Sequence, residues 1–212
     1  MPRGVFFSFN YEDVSDFKAN VVRNSRALKN SSLESTFIDK SLWEEARKKS
    51  PKAIKELIDE GLKGTSVTVL LIGSNTSNRR WVNYEIVKSF VEGKGLLAVH
   101  LNRIKSRTTR KISQKGINPL SRIKLRIDSE CKTIYFYELV NRKWIEFKDL
   151  PYVNNRKANS FWFHPGNFWH RSEADNEYKF SELFNMEFCW VNDDGYYNFP
   201  NWIEKAAKVI KR

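Results

Sequence analysis

A chain of 212 residues is long enough to bury one sizeable hydrophobic core, and no Pro-rich or Gly-rich linker divides it. An acidic pair comes too early for a signal peptide, and no apolar run approaches the about 20 residues that cross a bilayer, so we expect a soluble cytoplasmic protein. The formal net charge of +12 favours anionic partners in general. Nucleic acid is disfavoured among them, because the densest basic cluster, residues 103–115, lacks the interleaved aromatic residues of a single-strand platform.

The sequence predicts no metal site and no disulfide framework. Cys131 and Cys189 have no CxxC spacing and match no Cys/His ligand pattern, which indicates reduced, structural cysteines. His164 and His170 lie in an aromatic stretch, which favours packing over zinc ligation.

The first part of the chain alternates short apolar runs with helical patterns. Residues 5–9 predict a first strand, and apolar residues at helical spacing over 14–28 predict the helix that follows. Residues 36–38 predict a brief second strand, which leads into a loop that contains Trp43. A Ser-Pro pair at 50–51 then gives an N-cap and a first helical position, and an apolar stripe continues that helix.

The stretch over residues 65–89 organises the rest. Residues 67–72 are β-branched or aliphatic without polar alternation, which is typical of a strand buried on both faces of a parallel sheet. The polar loop 73–78 lies at the carboxyl end of that strand, where open α/β sheets bind ligands. A helix follows, and Trp81 and Glu85 are four residues apart, so they share one helical face.

A fourth strand is predicted over residues 96–101. Four strands alternating with three helices indicate an α/β fold that is doubly wound and flavodoxin-like. We expect a mainly parallel sheet with helices on both faces.

The alternation of strands and helices ends after the fourth strand. Residues 133–137 and 143–147 alternate around a short turn, which predicts a hairpin, and residues 202–210 predict a closing helix. The sequence therefore predicts a single domain, with a core over about residues 1–102 and a C-terminal elaboration over about 103–212.

Glu85 is the sharpest candidate for chemistry. The chain has no GxGxxG, no Walker lysine loop and no GxSxG elbow, which removes the common phosphate cradles and the serine hydrolase site. A carboxylate beside the loop at the strand end could face a bound ligand. The other interpretation is a solvent-exposed glutamate that pairs with Lys88 or Arg79.

Three segments carry a resemblance to a known family. FFSFNY at residues 6–11, GTSVTVLLIGSNTSNRRWVNYEI at 64–86 and DDGYYNF at 193–199 resemble the bacterial TIR-like fold, in particular the ThsB-type sensors of the Thoeris antiphage system. The WxxxE pattern of Trp81 and Glu85 resembles the catalytic helix of NAD-consuming TIR domains. The resemblance extends to about residue 200. It is weakest over residues 103–126 and 153–184, for which it implies no function.

The resemblance implies an enzyme that cleaves NAD between nicotinamide and ribose, with NAD as the substrate and no cofactor. Because nicotinamide leaves as a neutral pyridine, no general acid is needed, and Glu85 alone would stabilise the oxocarbenium-like charge. The implied product is a cyclic ADP-ribose isomer that activates a separate NAD-depleting effector during phage infection. A homo-oligomer and a phage-derived trigger are further implications.

By analogy with other TIR domains, residues at strand ends would edge the nucleotide pocket. Asp39 and Trp43 would fall in the loop that shapes it, and Trp81 would orient the helix by packing. Each has another interpretation, since Asp39 could cap a turn and Trp43 could pack on the sheet. Ser8 and Ser74 could likewise only terminate strands. The candidates are Ser8, Phe9, Asn10, Asp39, Trp43, Ser74, Asn78 and Asn83.

Two other functions stay open from the sequence. Many TIR domains act chiefly by self-association, so a non-catalytic interaction or scaffold module is the main alternative. A basic nucleic-acid binder is the third, and its affinity would fall steeply with salt.

Overall fold

The computed structural model describes residues 3–10, 17–25, 28, 33–36, 38–128, 133–154 and 177–209. In chain order its strands and helices are β1 (Arg3–Phe9), α1 (Lys18–Arg23), β2 (Leu33–Thr36), α2 (Lys40–Lys49), α3 (Pro51–Leu62), β3 (Val67–Ile72), α4 (Arg80–Val91), β4 (Gly95–His100), β5 (Ile123–Ile127), β6 (Thr133–Val140), β7 (Lys143–Glu146), β8 (Tyr152–Asn154), β9 (Glu177–Lys179), α5 (Phe180–Leu183), β10 (Glu187–Cys189) and α6 (Gly195–Val209). Within these ranges, no helix combines the length and the apolar character that crossing a bilayer requires.

The first sheet has the strand order β10-β4-β3-β1-β2, and all of its paired strands are parallel. Successive residues of a strand point to opposite faces. Phe6 and Leu70 therefore pack with α3 and α4, whereas Val5 and Val69 pack with α1 and α6. Every residue of β3 is buried. The doubly wound α/β fold with helices on both faces is confirmed.

Two boundaries near the start differ from the prediction. The second strand is Leu33–Thr36 rather than residues 36–38, and Phe37 lies outside the described residues. The first helix is Lys18–Arg23, shorter than the predicted 14–28, of which residues 14–16 also lie outside the described part.

The loop predicted around Trp43 is wrong, because α2 occupies these residues. Asp39 is its N-cap, and the Asp39 Oδ1 accepts a hydrogen bond from the Ser41 backbone N–H at 2.8 Å. Ala46 is the only buried residue of this helix, whose sequence has no continuous apolar stripe. The helical periodicity was therefore not visible in the sequence. The next helix was predicted correctly, and the Ser50 hydroxyl caps it by accepting from Ala53 N–H at 3.1 Å.

The C-terminal part builds a second, antiparallel sheet of order β7-β6-β5-β9, with β8 also paired to β6. The predicted hairpin is confirmed as β6 and β7. Asn141 and Arg142 join them with φ values of 49° and 63°, the conformation of a type I′ turn. The closing helix begins at Gly195, earlier than predicted, and Ile210 lies outside the described residues. Strand β10, which adds a fifth strand to the first sheet, was not predicted.

Helix α4 lies between the two sheets. The ring of Phe90 on α4 is 5.8 Å from the Phe136 ring of β6 and 5.2 Å from the Phe180 ring of α5, measured between centroids. The same buried cluster includes Phe6 and Leu70 of the first sheet. Such packing on both sides fixes the helix that carries Glu85. The single-domain division stays a prediction, which this shared cluster supports.

Candidate active site

Glu85 faces the protein interior from the first half of α4. The apolar residues Val82, Ile86 and Phe90 recur on this helix at helical spacing and are buried. Glu85 lies beside this stripe and is only 5% exposed. The interpretation as a solvent-exposed glutamate paired with Lys88 is therefore wrong, and the Lys88 Nζ lies 2.9 Å from Asp59 Oδ2 instead.

The Glu85 carboxylate is held by the end of β1. The hydroxyl of Ser8, which is fully buried, donates a hydrogen bond to Glu85 Oε2 at 2.5 Å. Burial raises the pKa of Glu85 to about 8, because a charged carboxylate loses its hydration there, and the Ser8 hydrogen bond acts in the opposite direction. A glutamate that titrates close to neutral pH in a cleft is a recognised mark of a functional site.

Glu85 lines a cavity of about 360 Å³ formed by the end of β1, by α2 and by the start of α4. This volume falls within the range of about 300–1,000 Å³ that is usual for small-molecule sites. The cavity opens at the carboxyl edge of the parallel sheet, where ligands of such folds bind. The residues that line it are Phe9, Asn10, Trp43, Glu44, Arg47, Arg79, Arg80, Trp81, Val82 and Glu85.

Three arginines, Arg47, Arg79 and Arg80, line this cavity together with Glu44. Arg80 donates to both carboxylate oxygens of Asp149, at 2.7 and 2.8 Å, and its guanidinium lies 4.5 Å from the Trp81 ring centroid. The pair with Asp149 fixes this guanidinium and uses two of its five N–H donors, so three remain for phosphate oxygens.

These arginines were not among the predicted site residues, although the sequence contains a signal for two of them. Cations at a helix N-terminus oppose the helix dipole, so the adjacent pair Arg79 and Arg80 at the start of α4 is unfavourable for the helix alone. Arg47 had no such signal, since it comes from a helix that was predicted as a loop.

The structure separates the eight candidate binding residues into three groups. Phe9, Asn10 and Trp43 line the Glu85 cavity, and Ser8 holds the carboxylate. Asn78 and Asn83 line a neighbouring cavity of about 700 Å³, which shares Arg80 with the first. Asp39 and Ser74 line neither of the two cavities and are exposed, Asp39 as a helix cap and Ser74 in the loop after β3.

The Ser8→Ala substitution is expected to raise the pKa of Glu85 further, because it removes the hydrogen bond that favours the charged carboxylate. The pKa can be followed by NMR titration of ¹³C-labelled glutamate carboxyl groups, with the Glu85 signal assigned by its loss in Glu85→Gln. Ser89→Ala is the matched control, since Ser89 is a buried hydroxyl that bonds to Thr68 at 2.7 Å. An equal pKa in the wild type and in Ser8→Ala would contradict this coupling.

Comparison with known proteins identifies the family. Residues 6–106 match the family described as Thoeris protein ThsB, TIR-like domain. A protein of Bacillus cereus (strain MSX-D12), which carries the name "Putative cyclic ADP-D-ribose synthase ThsB1", is 41% identical over 204 residues, which cover 96% of this chain and 100% of that protein. This chain belongs to the ThsB family. The similarity to the Bacillus protein spans the C-terminal elaboration of this ThsB chain as well as its TIR-like part.

The described part of this ThsB protein contains no group of three or more His, Cys, Asp or Glu side chains that could hold a metal ion. His164, His170 and Cys131 lie outside the described residues, so the prediction made for them stays a prediction. Cys189 is a free thiol in β10.

Proposed function

We propose that this ThsB protein cleaves the bond between nicotinamide and ribose in NAD and converts the ADP-ribosyl group into a cyclic ADP-ribose isomer. One observation carries the proposal, namely that the buried Glu85 carboxylate lines an arginine-rich cavity at the carboxyl edge of the sheet. The name of the related Bacillus protein points to the same activity.

The proposed reaction needs one carboxylate. As the C1′–N bond breaks, its electron pair goes to the nicotinamide nitrogen, which becomes neutral and needs no proton. Positive charge remains on the ribose, shared between C1′ and the ring oxygen. A glutamate side chain next to that ring stabilises the charge as it develops. Capture by a nitrogen or a hydroxyl oxygen of the same ADP-ribosyl group closes the ring, and a hydroxyl loses its proton as its oxygen bonds to C1′. Capture by water gives linear ADP-ribose and likewise releases a proton.

Glu85 has to be ionised for this role, and the substrate itself favours ionisation. The pKa of about 8 keeps most of the carboxyl group protonated at neutral pH in the free protein. The pyridinium ring of NAD carries a positive charge, and an opposite charge nearby lowers the pKa of a carboxyl group. Binding of NAD would therefore convert the buried acid into the carboxylate that the reaction uses.

The remaining cavity residues suit the rest of the substrate. Phe9 and Trp43 offer aromatic surface to the nicotinamide ring, and the guanidinium groups of Arg79 and Arg80 suit the diphosphate. The neighbouring cavity, with Asn83 on its wall, leaves room for the adenosine half.

The proposal extends to the cellular role. The cyclic nucleotide would diffuse to a separate effector that depletes NAD, in response to a phage-derived trigger. A homo-oligomer in the cytoplasm would be the active form.

Mass spectrometry of the products tests this proposal. The protein is incubated with NAD, with and without an extract of phage-infected cells as the activating cue. We expect nicotinamide together with a product that is lighter than ADP-ribose by one water. Linear ADP-ribose alone would overturn the cyclase assignment but keep NAD cleavage. The absence of nicotinamide under both conditions would overturn the enzyme proposal.

A further inference from the structure

A separate cavity of about 900 Å³ lies on the side of the first sheet that α1 and α6 cover. Its walls come from α1, from the segment that follows β4 and from the start of α6. It shares no lining residue with the Glu85 cavity or with the cavity next to it. The proposed NAD chemistry therefore does not account for it.

Three cationic side chains are among the described residues that line this cavity. Lys105, Arg107 and Arg110 line it, and the described lining residues include no aspartate or glutamate. None of the ion pairs among the described residues involves these three side chains. Like charges gathered around a concave surface raise the positive potential inside it, which an anionic ligand would relieve.

Hydrogen bonds fix the backbone of the segment 105–113, which carries the three cations. The Ser106 backbone N–H donates to the Lys111 carbonyl at 2.8 Å, and the Arg110 N–H donates to the Ser106 carbonyl at 3.0 Å. The Lys18 Nζ of α1 donates to the Ser113 Oγ at 2.7 Å, which ties the segment to the helix. Cations held by such a backbone lose less freedom when an anion binds.

The fold also brings aromatic rings to this basic segment, which has none of its own. Phe17 comes from the start of α1, and Tyr196 and Tyr197 come from the start of α6. The Tyr197 side chain is 79% exposed, and the Arg107 guanidinium lies 5.2 Å from the Phe17 ring centroid. Exposed aromatic rings beside phosphate-binding cations are the combination on which nucleotide bases stack.

From these features we propose that this cavity binds a nucleoside phosphate. The phosphate lies between Arg107 and Arg110, and the base stacks on Tyr197. The volume corresponds to a single small molecule, which favours one nucleotide over a continuous nucleic-acid strand.

Isothermal titration calorimetry with AMP as the probe tests this site. We expect AMP to bind, with an affinity that falls as salt rises. The double variant Arg107→Gln with Arg110→Gln should weaken AMP binding at least about tenfold, because the loss of even one charge-assisted hydrogen bond to phosphate costs about that factor. Tyr197→Ala should weaken it as well. Adenosine and inorganic phosphate should each bind at least about tenfold more weakly than AMP, since each lacks one half of the recognition.

Two control variants make the result specific. Arg103→Gln removes a charge from the same segment, but Arg103 is exposed and does not line the cavity, so AMP affinity should not change. Arg47→Gln removes a cation from the Glu85 cavity. AMP binding that weakens in Arg47→Gln and not in the double variant would place the nucleotide at the Glu85 cavity and overturn the proposal. Failure of AMP to bind, phosphate binding as tightly as AMP, or binding only of a single-stranded oligonucleotide would each overturn it too.

Discussion

Replacing Glu85 with glutamine is expected to lower the rate of nicotinamide release from NAD by at least about 100-fold, as measured with an activating cue present. Glutamine keeps the shape of the side chain and can still accept the hydrogen bond that Ser8 donates at 2.5 Å. The substitution removes only the negative charge that would stabilise the ribosyl cation. A large loss of rate would therefore report electrostatic stabilisation of the transition state rather than a loss of structure.

The control for this experiment is Glu56→Gln. Glu56 lies exposed on α3, at 3.8 Å from Lys52, and takes no part in the cavity. Its substitution makes the same chemical change elsewhere on the protein and should leave nicotinamide release unchanged. If Glu85→Gln turns over NAD at the rate of the wild type, the catalytic assignment fails, and the interaction-module alternative gains support.

The same substitution is expected to stabilise the protein at high pH. The pKa of Glu85 is about 8 in the folded protein, against an ordinary value of 4.5 in the unfolded chain. Below the lower value both states hold the proton, so the difference vanishes. As pH rises from the lower value to the higher one, the unfolded state releases the proton and the folded state keeps it. Over this pH range the ionisation of Glu85 lowers the free energy of unfolding by about 1.4 kcal/mol per pH unit.

The glutamine side chain in Glu85→Gln does not ionise, so this position no longer contributes to the pH dependence. The difference in unfolding free energy between the variant and the wild type should therefore grow with pH and reach several kcal/mol near pH 9. Denaturant unfolding at about pH 5, 7 and 9 measures it, and Glu56→Gln again supplies the control with an exposed carboxyl group. A difference that stays constant over this range would show that Glu85 does not retain its proton in the folded protein.

The centre of the fold could be predicted because its sequence signals are unambiguous. The β-branched and aliphatic residues of β3, without polar alternation, indicate a buried strand, and the polar loop after them marks the end of that strand. Helix α2 was missed for a physical reason, since a mostly exposed helix stabilised by a cap and by charge pairs carries no apolar periodicity. The strands β9 and β10 are three residues each, too short for any periodic pattern.

The candidate site was only partly accessible from the sequence. The family resemblance pointed to Glu85, but its burial depends on β1 and α2, which lie far away in the chain. The cationic wall could not be predicted either, because it combines Arg47 with Arg79 and Arg80 from a different helix. The separation of Asn83 from the Glu85 cavity follows from the turn of α4, which directs residues 83 and 85 to different sides.

The contact of Phe90 with Phe136 and Phe180 has a practical consequence for laboratory work on this protein. A fragment cut after residue 106, where the family match ends, would leave the Phe90 ring facing water. An exposed aromatic surface of this kind promotes aggregation. Aggregation of such a fragment would be caused by the truncation. Experiments on self-association should therefore use the chain that includes the second sheet.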